Sequence, residues 1–249
     1  MAGHSKWSNI KRKKGANDAK KSKIFTKLVK EIGIASEQGG SDPAFNPRLR
    51  LAIQNAKGAN VPKDSILRAI NNPTKDQKEY NEVTYEGYGA HGVAIMVVCM
   101  TEKITRTVAS VRAIFTKHGG RLEKNGAITF LFDHKGCFTV AATDVQNEDE
   151  LILTLIDAGA EVIESDDEAV ALHITCAVED FGRVQKKLEQ LGKVPNYAGL
   201  DYIPNTLVEL SDELLPKLMK LIDALEEDDD VQKVYHNISI GTDQEHLLG

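Results

Sequence analysis

The stretch 83-VTYEGYGAHGVAIMVVCM-100 decides the fold. Its glycines, Gly87-x-Gly89-x-x-Gly92, match the dinucleotide-binding fingerprint as a string. That fingerprint needs a helix directly after the glycines, so that a helix N-terminus can face pyrophosphate. Here Val93-Ala94-Ile95-Met96-Val97-Val98 follows, a β-branched run that reads as a buried strand. A glycine-rich connection between two strands, 83–86 and 93–100, is the better account. The run from Val93 to Met100 is also the longest apolar stretch, at eight residues. A membrane span needs roughly 18, so no membrane partner is expected.

Downstream, Thr101 is placed to cap a helix reaching about residue 117, with Val108, Val111, Ile114 and Phe115 inward and Gly119-Gly120 at its end. Strands are expected over 128–132 and 137–142. Asn147 then opens a helix with Glu150 three residues on. Strands over 161–163 and 169–175, a helix over 178–191 and a strand near 200–203 complete the series. From residue 137 the order is βαββαβ, the ferredoxin-like split unit. A helix over 211–225 and a strand over 231–240 then lack a local sheet. They are expected to return and complete the sheet begun at residue 83, which makes the ferredoxin-like unit an insertion.

Upstream, residues 1–16 show neither helical nor strand period and read as an extended arm carrying Trp7. A helix begins near Asn17 or Asp18, with Ile24, Phe25, Leu28, Val29, Ile32 and Ala35 as its apolar stripe, and stops at Gly39-Gly40. At 100° per residue, Lys20, Lys23, Lys27 and Lys30 fall within about 80° on a different face. Asn46-Pro47 announces a second helix, cap then first-turn proline, ending near Gly58. A third starts near Pro62 and closes at Asn71-Asn72-Pro73. The class is therefore α+β. Residues 1–78 form a basic helical domain with an arm, 79–134 and 206–249 a discontinuous α+β domain, and 135–205 an inserted ferredoxin-like domain.

The net charge of −6 conceals a division. Residues 1–78 hold 17 Lys and Arg against six acids, or +11, and residues 79–249 hold 14 against 31, or −17. The first thirty residues carry ten Lys or Arg and only Asp18 on the other side. A stripe on one helix face beside the run Lys11-Arg12-Lys13-Lys14, with almost no acids between, suits neutralisation of phosphates better than mere solvation. Lys6, Lys11, Arg12, Lys13, Lys14, Lys20, Lys23, Lys27, Lys30, Arg48, Arg50, Lys57, Lys63 and Arg68 are the candidate nucleic-acid contacts. Base readout by forked guanidinium has only Arg12, Arg48, Arg50 and Arg68 to use here. Trp7 is equally suited to stacking on a base and to packing the arm down. The acidic remainder should face away from a polyanion or bind a protein partner.

Chemistry of other kinds finds little support. Cys99, Cys137 and Cys176 are odd in number and scattered, which argues against a disulfide framework or zinc site and fits a reducing cytosol. The seven histidines form no ligand spacing. The sets Glu164-Asp166-Asp167-Glu168 and 226–230 could hold a cation but match no EF-hand spacing. No serine has a G-x-S-x-G context. No cofactor, metal or catalytic residue is expected, and the protein reads as a regulator rather than an enzyme.

The strings MAGHSKWSNIKRKKGANDAKKSKIFTKL, NPRLRLAIQNAK, NVPKDSILRAI, YEGYGAHGVAIMV and the late VYHN resemble the YebC/PmpR family over essentially the whole chain. That family includes the mitochondrial translational activator of cytochrome c oxidase subunit I. The resemblance implies a three-domain α+β architecture with the third domain inserted in the second. It also implies a cytoplasmic, DNA-binding transcriptional regulator, with a translation role on ribosomal RNA as the alternative. One departure is visible: Glu102-Lys103-Ile104-Thr105-Arg106-Thr107 stands where the family commonly has Asp-Asn-Lys/Arg-Asn-Arg-Thr. Lys103 and Arg106 are kept and the amides are not.

Overall fold

The computed structural model describes residues 18–71, 80–144, 148–166 and 170–241, with Gln244 and Leu247. The elements in chain order are α1 (Asp18–Gly39), α2 (Pro47–Gly58), α3 (Lys63–Asn71), β1 (Asn81–Tyr88), β2 (Ala94–Thr101), α4 (Ile104–Lys117) and β3 (Arg121–Leu122). Then follow β4 (Phe132–Ala141), α5 (Glu148–Asp157), β5 (Ala160–Asp166), β6 (Ala171–Ala177), α6 (Phe181–Gln190) and β7 (Tyr197–Pro204). The last are β8 (Val208–Glu209), α7 (Leu215–Glu227), β9 (Val231–His236) and β10 (Ile238–Ser239). Two compact units result: one gathers Gln77–Asp133 and Tyr202–Gly249, the other Asp18–Asp76 and His134–Asp201.

In the first unit the sheet order is β3-β1-β2-β9. β1 and β2 are antiparallel from Asn81↔Thr101 to Tyr88↔Ala94, so the glycines do join two strands. β9 returns beside β2, with Ile95 opposite His236. Side chains alternate across a strand, and β2 is covered on both faces. Ile95, Val97 and Cys99 join Phe115 of α4 and Leu218, Leu221 and Leu225 of α7. Ala94 and Met96 join Ile128, Phe132 and Tyr235. Two covered faces explain the unbroken apolar run. Gly87 is needed where β3 approaches: a Cβ there would lie 2.6 Å from the Arg121 carbonyl oxygen and 2.7 Å from the Phe115 ring.

Three local expectations are corrected in this unit. Residues 129–131 form a 3-10 turn, not a strand, and one long strand, β4, follows. The cause is Glu86, whose buried carboxylate accepts the N–H groups of Gly126 (2.7 Å), Ile128 (2.7 Å) and Thr129 (3.2 Å), donors a strand would need for its ladder. Thr101 closes β2 rather than capping α4, which starts at Ile104. The strand foreseen over 231–240 breaks at Asn237. There the Ala94 N–H donates to the Asn237 side-chain oxygen at 2.8 Å, and Val208 N–H donates to its carbonyl at 2.7 Å.

The second unit holds the sheet β5-β6-β4-β7, the ferredoxin-like order. Phe138, Val140, Leu172, Ile174 and Cys176 meet Leu151 and Leu155 of α5 and Val184 and Leu188 of α6. The three N-terminal helices belong to the same unit around Ile32, Ala35, Leu49, Ala52, Ala56, Ile66 and Ala69. Leu51 of α2 packs against the core of the sheet, and polar bonds join the two beside it. Asn55 of α2 donates to the Ala198 carbonyl at 2.8 Å and accepts its N–H at 2.9 Å, as a neighbouring strand would. Gln54 donates to the Pro195 carbonyl at 3.2 Å. Only glycine fits at position 58, where a Cβ would stand 1.9 Å from the Asn196 carbonyl oxygen.

Candidate nucleic-acid interface

The corner between α1 and α2 is built by Asn46. Its side-chain oxygen accepts the Leu49 N–H at 3.0 Å, an N-cap bond, and Pro47 takes the first helical position. Its amide donates to the carbonyls of Ala35 (2.7 Å) in the last turn of α1 and of Gly40 (2.8 Å) just past its end. Asn46 is 3% exposed. One amide thus fixes the angle at which two basic helices leave the corner.

The candidate cations fall into six groups. Lys6, Lys11, Arg12, Lys13 and Lys14 lie outside the described residues, as does Trp7. Lys20 is on α1, but its side chain is not among those described. Lys23, Lys27 and Lys30 share one side of α1 and are half-buried. The lysine side of α1 is not wholly polar: Ile34, one turn beyond Lys30, is 3% exposed. Lys21, off that side by sequence angle, is exposed and joins the basic surface. Its position in the middle of a lysine run carried the signal, and the helical-face criterion set it aside.

Arg48 and Arg50 are committed within the fold. Arg48 donates from Nε to Glu31 at 2.9 Å and from a terminal nitrogen to Gln38 at 2.7 Å. Arg50 donates to the Pro43 carbonyl at 3.1 Å and meets the Ala44 carbonyl at 3.5 Å. Lys57 and Lys63 are exposed and flank the turn between α2 and α3. Arg68, on α3, is exposed and lines an open groove with Ser22, Phe25, Thr26 and Val29 of α1 and Ser65 and Ala69 of α3. Spacing alone gave no sign of that groove, because its two walls are about forty residues apart in sequence.

The segment Glu102–Thr107 is ordered from the far end of its own unit. Asp230 accepts from the Thr107 hydroxyl at 2.7 Å and from Arg106 at 2.9 and 3.1 Å, and the Thr101 hydroxyl meets it at 3.3 Å. The hydrogen bond to Asp230, then its charge, raise the Arg106 pKa above its ordinary value. Glu86 behaves in the opposite sense. Burial pushes its carboxyl up, but the N–H groups of Gly126, Ile128 and Thr129 and the Thr129 hydroxyl outweigh burial and hold it below the ordinary range. Among the described residues no cluster of three His, Cys, Asp or Glu could hold a metal ion. No described helix is long and apolar enough to cross a membrane.

Comparisons agree over the whole length. Residues 5–76 match the model of the TACO1/YebC protein N-terminal domain, and residues 80–238 match the TACO1/YebC second and third domain. A "Probable transcriptional regulatory protein" of Amoebophilus asiaticus is 59% identical over 244 residues, 98% of this chain and 100% of the relative. "Probable transcriptional regulatory protein YrbC" of Bacillus subtilis is 45% identical over 240 residues, 95% of this chain and 99% of the relative. The crystal structure of a conserved hypothetical protein, Aq1575, from Aquifex aeolicus is 41% identical with a TM-score of 0.79, covering 95% of this chain and 98% of that one. By two family models and by full-length relatives, the chain belongs to the TACO1/YebC family.

Proposed function

We propose that the protein is a non-enzymatic, cytoplasmic regulator of gene expression that attaches to nucleic acid through its lysine-rich N-terminal domain, with DNA at the level of transcription as the first target. The carrying observation is the charge division, +11 over residues 1–78 against −17 over 79–249. Phosphate neutralisation by point charges gives affinity and salt dependence without sequence preference. The names of the relatives support the transcription reading. Buried or half-buried carboxylates are engaged with their own fold, Glu86 with a loop and Asp230 with α4, which favours regulation over catalysis.

The test is replacement of Lys11, Arg12, Lys13 and Lys14 together by Ala, with binding to a DNA duplex followed against salt. The slope of log affinity on log salt should flatten by about 0.7–0.9 for every phosphate no longer neutralised. An unchanged slope would remove the arm from the interface.

A second reading, a ribosome-associated translation factor contacting structured RNA, is favoured by one observation. Arg48 and Arg50 use guanidinium donors inside the fold, which weakens forked guanine readout in a major groove. A partner recognised by shape fits that restriction. Co-sedimentation with ribosomes at low salt supports this reading, and absence from ribosomal fractions removes it. The acidic remainder faces away from the polyanion or meets a protein partner; a crosslink of RNA or DNA to the ferredoxin-like region would contradict this.

A further inference from the structure

The groove between α1 and α3 has a composition unlike the rest of the basic surface. Phe25 and Val29, half-buried against the three-helix core, and the buried Ala69 supply its apolar part, and Ser22, Thr26, Ser65 and Arg68 supply its polar part. Its volume is about 530 Å³, within the usual range for small-ligand sites. The Thr26 hydroxyl is turned back to the Ser22 carbonyl at 3.0 Å. The side chains of Ser22, Ser65 and Arg68 have no hydrogen-bond partner among the described residues. Arg68 therefore differs from Arg48 and Arg50, which are held by internal acceptors. A free guanidinium fork, two free hydroxyls and an aromatic side chain converge on one open space.

We propose that this groove holds one unstacked nucleotide of a single-stranded nucleic acid, with its base against Phe25 and its phosphate on Arg68. The inference rests on the nucleic-acid reading above and narrows it to a single-stranded ligand. A guanidinium presents parallel N–H donors that match phosphate oxygens. Aromatic side chains accept any base by its face, and such stacking tolerates sequence. A base paired within a duplex cannot present its face to a groove wall. The Ser22 and Ser65 hydroxyls can serve sugar or phosphate oxygens beside it. The basic run of this chain's arm is a poor occupant: Lys11, Arg12, Lys13 and Lys14 bring positive charge and residues 1–17 contain no acid, so Arg68 would repel it.

The experiment uses the full chain, fluorescein-labelled U12 RNA and the duplex of the same strand with A12. Arg68→Ala should weaken U12 binding about tenfold and duplex binding less than twofold. Arg68→Lys should recover only part of the affinity, because an ammonium keeps the charge but not the fork. Photocrosslinking with 5-iodouridine in U12 should mark the peptide containing Phe25. Ser22→Arg, which fills the groove while adding charge, should weaken U12 and leave the duplex unchanged or tighter. Equal weakening for both RNAs would reduce Arg68 to one cation of a diffuse field and overturn the groove. Crosslinks confined to other peptides, including those of the arm, would overturn it too. Failure of the unsubstituted chain to bind either RNA or the DNA duplex of the salt test would sink the nucleic-acid reading itself; binding to either duplex but not to U12 would sink only the groove.

Discussion

Thr107 donates its hydroxyl to Oδ2 of Asp230 at 2.7 Å across 123 positions of sequence. The same carboxylate receives Arg106, and the Thr107 and Thr101 hydroxyls are 2.7 Å apart. The start of α4 is thereby fixed by the turn before β9. Asp230→Ala takes the carboxylate away from two buried hydroxyls, leaving Thr107 the Lys103 carbonyl at 3.2 Å, and should cost about 2 kcal/mol in urea unfolding. Arg106→Ala, at a guanidinium largely in solvent, should cost less than Asp230→Ala. The reverse order of effects would show that the ion pair, not the hydroxyl network, holds the segment.

The pairing of Arg48 with Glu31 separates two roles that charge alone confuses. Its side chains are 40% and 29% exposed, so the pair contributes at most about 1 kcal/mol. Arg48→Ala should lower the melting temperature slightly and leave the salt slope of DNA binding where it was. Lys57→Ala and Lys63→Ala should do the opposite. Their melting should be unchanged, and the slope should flatten wherever the lysine neutralises a phosphate. A flatter slope in Arg48→Ala would return that residue to the interface.

Glu86 sets a pH dependence of defined sign. Its carboxyl is held below the ordinary value of 4.5 in the folded state, so the unfolded chain binds its proton more readily. The resulting stability is complete above the ordinary value and disappears as pH falls through the lower folded value. Glu86→Gln should therefore be less stable than the unsubstituted protein by about 2 kcal/mol at pH 7. That gap should narrow below about pH 4. A gap that stays constant down to about pH 3 would show that ionisation of Glu86 contributes nothing.

Cys99, Cys137 and Cys176 are buried. Burial first, and then Asp180 and Glu161, push the Cys176 thiol up to about 11 against the opposing pull of Lys135. Thiolates, not thiols, react with aromatic disulfide reagents. The native protein at about pH 8 should release no chromophore within minutes, and the urea-unfolded chain should release three equivalents, one for each cysteine. Rapid reaction of the native protein would contradict the packing of β2, β4 and β6.

Much of this architecture is legible in the residues. Asn46-Pro47 marks a helix start that is found at Pro47. The unbroken run in β2 marks a strand covered on both faces, and the stranded order after residue 137 forecasts the sheet β5-β6-β4-β7. The residues that misled are those whose backbone answers to distant side chains. Residues 128–132 have strand composition, but Glu86 takes their donors from 42 positions upstream. β3 has two residues, too short for any period. At the candidate interface the limit is the same: Arg48 and Arg50 look like free cations until Glu31, Gln38 and the Pro43 carbonyl are brought beside them.

The amide hook of Asn55 on Ala198 joins residues 143 positions apart, and this separation has a consequence in time during synthesis. At roughly 5–20 residues per second, α2 leaves the ribosome on the order of ten seconds before the strand it grips exists. The basic helices thus form before their supporting edge arrives, and their final docking waits on the translation of β7.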